Sequence, residues 1–297
     1  MACAGITPDW IAVDWGTSAL RAFAMRGTER IAEAASAEGM ASLAPDGFEP
    51  ALLRLVGPWL GSGTTPVIAC GMVGARQGWA EAPYRPVPCP PVAAGETLRL
   101  RARDPRLAVE IVPGLCQRAP ADVMRGEETQ IAGFLAGEPG FAGTLILPGT
   151  HSKHVRVAGG RITGFTTWMT GELFALLATQ SVLRLTIAPD GTDPAAFRHG
   201  VRQGLDGGGL AGLFALRAEA LLAGLDPVAA RARLSGLLIG AELAAQPPAQ
   251  DCVVIGAEAL ARAYLDALAQ AGIAARAIGA GALVCRGLAL ARNGGTT

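Results

Sequence analysis

Apolar and polar positions along this 297-residue chain fall into short blocks that switch between strand spacing and helix spacing. Residues 11–23 begin with a branched apolar run, break at Asp14, Gly16, Thr17 and Ser18, and turn apolar again at Leu20 and Phe23. This pattern predicts strand, tight turn, strand. A third strand is expected over 30–37 and a loop over 38–40. Leu52, Leu53, Leu55, Val56, Trp59 and Leu60 predict a short amphipathic helix over 50–60, opened by Pro50. A buried strand over 66–70 runs straight into the glycine-rich loop 71–79, a place where an α/β sheet holds small ligands. Residues 83–91 carry five prolines, which exclude regular structure inside a sheet and predict a surface connection or a rigid wall.

Farther along, residues 109–115 predict strand and turn. Ile131, Phe134 and Leu135 predict a helix within 122–136, with Glu127 and Glu128 at or near its N-terminus. Residues 143–157 repeat the opening design: a buried strand, a Pro-Gly turn and a returning strand. Residues 166–174 lead into a helix ending near 182, started by Gly171 and Glu172. The polar, turn-rich stretch 189–209 predicts a surface excursion, and helices are expected over 210–225 and 227–243. A strand over 252–255, a turn at 256–258 and a helix over 259–271 follow, and the small residues 279–282 open a final helix.

Alternation of this kind over 297 residues, with no Pro/Gly/Ser linker, is that of an α/β protein of about two domains. Hydrophobic residues make up 51% and charged residues 17%, a folded rather than a disordered composition. Lys plus Arg and Asp plus Glu number 25 each, so the chain lacks the basic field that nucleic acid or an anionic membrane would require. Six cysteines, from Cys3 to Cys285, are scattered without zinc-site spacing and point to a reducing cytoplasm and no structural metal. No run approaches the ~18 apolar residues of a membrane span.

The candidate chemistry sits in the turns. At residues 14–18, Gly16 lets backbone approach a ligand, Thr17 and Ser18 can donate to phosphate oxygens, and Asp14 can hold a magnesium ion through water. An ordinary polar hairpin accounts for the same residues taken alone. The two glutamates gain from the helix macrodipole, which ordinary first-turn chemistry explains equally. In the second hairpin Gly149, Thr150 and Lys153 offer the same phosphate chemistry. The Walker A spacing is missing throughout, and His151 and His154 lack partners at zinc spacing. The late strand, glycine and helix at Gly256 and Glu258 form a generic nucleotide-contact design.

A DxGTS hairpin, a carboxylate-bearing helix, a second Gly-Thr hairpin, a late strand-Gly-helix and a small-residue final helix come here in an order that resembles the actin-like ATPase and sugar-kinase superfamily. More closely, DWGTS (14–18), GMVGARQGW (71–79) followed by APY (82–84), PGLC (113–116), VMRGEETQ (123–130), LPGTHSKHV (147–155), MTGEL (169–173) and SGLLIGAE (235–242) together resemble the 2-dehydro-3-deoxygalactonokinase family.

That resemblance implies two actin-like (ribonuclease H-like) α/β domains, residues 1–120 and 121–297, with a nucleotide cleft between them and the final helix from about 281 packing back on the first. It implies a cytoplasmic kinase that moves the γ-phosphoryl of ATP to the 6-hydroxyl of 2-dehydro-3-deoxy-D-galactonate in galactonate or galactose breakdown. Mg²⁺ is expected, with Asp14 as its ligand. Gly16, Thr17, Ser18, Gly149, Thr150 and Lys153 fall to the phosphates, and Gly256 and Glu258 to adenosine. Gly71, Met72, Arg76, Trp79, Arg125 and Glu172 fall to the sugar acid. Arg76 and Arg125 suit its carboxylate, or serve as ordinary ion-pair arginines. The segment 125–128 is also similar to the Gly-x-Glu-Glu stretch of exopolyphosphatases, where a glutamate is catalytic, and of its two glutamates Glu128 is preferred to Glu127 as the proton acceptor. The chain departs from the expected pattern at Gly256-Ala257-Glu258, where small hydroxyl residues would follow the glycine. The partners are thus a 2-keto-3-deoxy sugar acid, ATP and, in a homodimer, a second copy. A phosphohydrolase of exopolyphosphatase type and a non-catalytic actin-like module are the rival readings.

Overall fold

In a computed structural model, residues 6–248 and 251–293 are described. The chain divides into two compact units, Met1–Phe141 with Ala158–Gly164 and Ala280–Thr297, and Ala142–Val157 with Phe165–Gly279.

Unit 1 begins with the predicted hairpin, β1 (Trp10–Trp15) and β2 (Leu20–Arg26), followed by β3 (Glu29–Ser36), α1 (Phe48–Val56) and β4 (Thr65–Gly71). Three short strands come next, β5 (Tyr84–Pro86), β6 (Leu98–Leu100) and β7 (Leu107–Ile111), then β8 (Gly114–Arg118), β9 (Ala121–Met124) and α2 (Glu127–Leu135). The main sheet has the order β3-β2-β1-β4-β7-β6, with β1 antiparallel to β2 and parallel to β4. Because side chains alternate across a strand, Ile11, Val13 and Trp15 pack with Phe48, Ala51 and Leu52 of α1. Trp10 and Ala12 face the opposite way, onto Val284, Cys285 and Leu288 of the last helix, α8 (Gly281–Asn293). Asp14 shares the parity of Ala12 and lies in register with Cys70 at the ends of β1 and β4.

Helix α2 lies beyond the expected boundary at residue 120 yet belongs to unit 1, where it packs on α8 with almost no space between the backbones. A Cβ on Gly133 would lie 2.0 Å from the Leu283 carbonyl oxygen, and one on Gly287 1.9 Å from that of Thr129. The proline-rich segment differs from its prediction. Tyr84–Pro86 pairs with β8 in a second sheet of order β5-β8-β9, where β5 is an edge strand and can end in a proline.

Unit 2 repeats the design. Its strands β10 (Gly143–Leu147), β11 (Ser152–Ala158), β12 (Arg161–Trp168), β13 (Cys252–Gly256) and β14 (Ala275–Gly279) lie in the order β12-β11-β10-β13-β14. As in unit 1, a three-stranded meander precedes strands that run parallel to its first strand. This shared order is the duplicated actin-like, ribonuclease H-like α/β arrangement.

Five helices surround this sheet: α3 (Thr170–Thr179), α4 (Pro194–Leu205), α5 (Gly209–Ala223), α6 (Pro227–Ala245) and α7 (Glu258–Gln270). Helix α4 replaces the predicted surface excursion. Asp193 caps it by accepting from the Ala195 and Ala196 N–H groups, with Pro194 at the first helical position. Its glycines, which resemble breakers in sequence, instead let it touch α6: Cβ atoms on Gly200, Gly204, Gly236 and Gly240 would lie within 2.4 Å of backbone oxygens across the pair.

Five described cysteines are free thiols, and Cys3 lies outside the described residues. No helix among the described residues is long and apolar enough to cross a membrane.

Candidate active site

Three features of unit 1 converge at the ends of β1 and β4. The first is the hairpin tip. Gly16 N–H donates to the Ala19 carbonyl (2.8 Å), while Met40 and Ala41 N–H groups brace the tip from outside by donating to the Gly16 and Thr17 carbonyls (3.0 and 2.9 Å). Thr17 and Ser18 stay exposed. Gly39 makes the bracing possible, since a Cβ there would lie 2.3 Å from the Ser18 carbonyl carbon.

The second feature is Asp14, whose carboxylate accepts from Arg21 across the hairpin. Burial pushes the Asp14 carboxyl above its ordinary value; Arg21 opposes this shift and the charge of Glu127 adds to it.

The third is the start of α2. Gly126 takes φ +107° and Gly71 φ +90°, and a Cβ on Gly71 would meet the Trp15 carbonyl oxygen at 2.6 Å. Glycine is needed at both positions for backbone conformation, and at Gly71 also for space. The turn at Gly126 folds the helix start back on itself. Glu128 Oε2 accepts from Gly126 N–H (2.7 Å), Glu127 Oε2 accepts from Arg125 N–H (3.0 Å), and Thr129 donates to the Gly126 carbonyl (2.6 Å). Glu128 is fully buried, and its second oxygen, Oε1, has no hydrogen-bond partner among the described residues. Burial first, and the charge of Glu127 second, push its carboxyl up to about 8.

Arg125 is held rigidly beside these groups. Its guanidinium lies 4.3 Å from the Tyr84 ring centroid, and Nη2 donates to the Ala82 carbonyl (2.8 Å). Its Nε and Nη1 are buried without partners among the described residues, so donors of a planar fork are free for a carboxylate. Gly74 makes room for it, because a Cβ there would stand 2.8 Å from Nη1. Arg76 differs sharply: its side chain is 80% exposed and lies 3.4 Å from Glu81, an ordinary surface pair. Gly71 and Met72 form the turn after β4, and Trp79 packs edge-on to Trp15 (6.3 Å) against the α1 side of the core.

In unit 2 the second hairpin is locked to the start of α3. Glu172 N–H donates to the Thr150 carbonyl (2.9 Å), and a Cβ on Gly171 would lie 2.3 Å from the Gly149 oxygen. Glu172 pairs with His151 Nε2 at 2.5 Å, so it supports this hairpin. Lys153 is buried, and its ammonium donates to the His151 carbonyl (3.3 Å) beneath the turn.

A cavity of about 700 Å³ opens beside this hairpin, entirely within unit 2. Gly149, Thr170, Phe174, Arg231, Ser235 and Tyr264 line it, together with residues 191–194 and the outer turns of α7. Arg231 lies over the Phe174 ring (4.9 Å), giving the cavity a flat cationic and aromatic wall. Neither Gly256 nor Glu258 lines it. Gly256 lies under Pro148, and the exposed Glu258 pairs with Arg262 one helical turn on, so neither of the residues expected at adenosine faces this cavity. Phe174, Arg231 and the 191–194 turn were not foreseen. Asp193-Pro194 was the available signal, a cap followed by an N1 proline.

Residues 14–291 match the family model described as 2-keto-3-deoxy-galactonokinase. The chain belongs to that family. A Rhizobium meliloti (strain 1021) protein named as a 2-dehydro-3-deoxygalactonokinase is 39% identical over 297 residues, 95% of this chain and 96% of its own. The Escherichia coli (strain K12) 2-dehydro-3-deoxygalactonokinase is 37% identical over 244 residues, 80% of each. A solved structure from Sinorhizobium meliloti, classed under the same activity, has a TM-score of 0.88 at 39% identity and covers 95% of this chain and 97% of that one. As a 2-keto-3-deoxy-galactonokinase family member the chain is a phosphotransferase with an alcohol acceptor, which sets aside the phosphohydrolase and the non-catalytic readings. The match begins at Asp14 and takes in both hairpins, α2 and the cavity of unit 2.

Proposed function

We propose that the chain phosphorylates the 6-hydroxyl of 2-dehydro-3-deoxy-D-galactonate from ATP, with Glu128 as the proton acceptor, in the cytoplasm and as a step of galactonate or galactose breakdown. One observation carries this reading: a single segment presents a buried carboxyl with an unused oxygen and, three residues earlier, an anchored guanidinium with unused donors. A keto-deoxy sugar acid needs both, a cation for its carboxylate and a base for its hydroxyl.

In the transfer, the 6-oxygen forms a bond to the γ-phosphorus, the bond from that phosphorus to the bridging oxygen breaks, and ADP leaves. The hydroxyl proton passes to Glu128 Oε1 and from there to solvent. A carboxyl pushed up to about 8 is a stronger proton acceptor, once ionised, than one at its ordinary value. Arg125 orients the acid end of the substrate, assisted by the turn at Gly71 and Met72. Gly16, Thr17, Ser18, Gly149 and Thr150 take the phosphates, Lys153 adds positive charge beneath its turn, and the cavity of unit 2 takes the nucleoside.

Mg²⁺ fits at Asp14. Magnesium needs only one or two protein carboxylates beside phosphate oxygens and water, and a cation would relieve the burial of this carboxylate. When bound, it neutralises charge that builds on the phosphate oxygens. A homodimer remains part of the proposal.

The test is Glu128→Gln, assayed by ADP release at saturating ATP and keto-deoxy acid. Turnover should fall at least ~10²-fold, the low end of general-base effects, and a smaller fall removes Glu128 from the reaction.

A further inference from the structure

Three strings in the chain, LPGTHSKHV (147–155), MTGEL (169–173) and SGLLIGAE (235–242), carry side chains that the reaction does not use: Ser152, His154, Thr170 and Glu242. In unit 2 they meet at one buried point. Glu242, on α6, has a side chain 1% exposed and accepts from His154 Nε2 (2.7 Å) and from the Thr170 hydroxyl. Tyr264, on α7, places its hydroxyl 2.9 and 3.1 Å from the two carboxylate oxygens, and Ser152 Oγ lies 2.8 Å from that hydroxyl.

Donor directions follow from the chemistry. A carboxylate only accepts, so the single Tyr264 proton points at Glu242 and Ser152 donates to the Tyr264 oxygen. The His154 proton sits on Nε2 for the same reason. Its Nδ1 is buried with no partner among the described residues. Three donors, from His154, Thr170 and Tyr264, therefore point at one carboxylate, and Ser152 backs the Tyr264 hydroxyl.

The four donors sit on three pieces of the nucleotide site. Ser152 and His154 begin the strand that leaves the second hairpin, Thr170 is the first residue of α3, and Tyr264 is on α7. Thr170 and Tyr264 line the cavity, and Glu242 does not. We propose that Glu242 is a positioning residue for nucleotide binding, a buried carboxylate that ties the second hairpin, the start of α3 and the α7 wall of the cavity into one fixed arrangement. This rests on assigning the cavity to the nucleoside of ATP. A buried carboxylate that accepts from three separate elements holds those elements in one arrangement, and losing one of its bonds loosens them.

Calorimetric titration of the full chain with ADP, beside steady-state kinetics, tests it. Glu242→Gln keeps the shape but turns one acceptor into a donor that faces another donor. The Kd for ADP should rise about tenfold or more (about 1.4 kcal/mol) and the KM for ATP with it, while the KM for the keto-deoxy acid stays within about twofold. Thr170→Val should do the same, and Thr170→Ser, which restores the hydroxyl, should return near the wild type. Should Glu242→Gln fail to fold, the Thr170 pair decides. Unchanged ADP affinity with only a lower melting temperature would make the network merely structural and overturn the proposal. A wild-type chain that does not bind ADP at all would instead overturn the nucleotide assignment of the cavity, and this proposal with it.

Discussion

Glu128→Gln should stabilise the protein as it disables it, and by an amount that depends on pH. The Glu128 carboxyl has an ordinary value of 4.5 and is pushed up to about 8 in the folded chain by burial and by Glu127. Above pH 4.5 the unfolded chain releases this proton while the native chain keeps it. The native state then binds more protons than the unfolded state, so stability falls as pH rises and levels off above about 8. At 1.36 kcal/mol per unit, the loss approaches about 5 kcal/mol over the whole window and reaches about 3 kcal/mol by pH 7. Glutamine does not titrate, so the variant lacks this slope. Urea unfolding of both proteins at intervals from about pH 5 to pH 8 should show the stability difference shifting toward the variant by on the order of 1 kcal/mol per pH unit. The same titration should appear in kcat/KM, which rises toward pH 8 in the wild type as the base ionises. A stability difference constant across the window would refute the burial argument, and with it the reason for choosing Glu128 over Glu127.

Arg125→Met should raise the KM for the keto-deoxy acid by roughly 10- to 100-fold at saturating ATP, the value of a charge-assisted hydrogen bond, and leave the KM for ATP near the wild type. Gly39→Ala forces a Cβ to within 2.3 Å of the Ser18 backbone. It should displace the first hairpin and raise the KM for ATP while sparing that for the acid. Gly240→Ala sets a helix-propensity gain of about 1 kcal/mol against a Cβ 2.3 Å from the Val201 oxygen on α4. Because the obstacle is backbone, the clash should win by about 1–3 kcal/mol in denaturant unfolding, and a stabilised variant would contradict the close α4–α6 contact.

Local signals carried the parts of the fold that local physics decides. The hairpin of β1 and β2 is announced by alternation, an Asp-x-Gly turn and the return of apolar residues, all within one stretch of chain. The hairpin of β10 and β11 is announced the same way, and the shared strand order explains why the two signals look alike: each hairpin leads the meander of its own sheet. What stayed hidden depended on a distant partner. The glycines of α4 look like breakers until α6 supplies the backbone that requires them, and β6, β8 and β9, of three to five residues, are too short to show a period.

The candidate site divides along the same line. That Glu127 and Glu128 start a helix is visible in the spacing of Ile131, Phe134 and Leu135, but their inequality is not. It arises because Gly126, at positive φ, lets the Glu128 carboxylate turn back onto the Gly126 N–H, where it is fully buried. Arg76 and Arg125 are equivalent candidates in sequence, and the Tyr84 ring and the Ala82 carbonyl, more than 40 residues before Arg125, separate them. In each pair the residue favoured for chemistry is the one that folding buries without fully satisfying. A native chain retains a buried unpaired polar atom against a cost of about 1–3 kcal/mol each. Glu128 Oε1 and the Arg125 donors bear that cost on a single turn of backbone, which is the physical ground for placing the proton transfer and the recognition of the acid there.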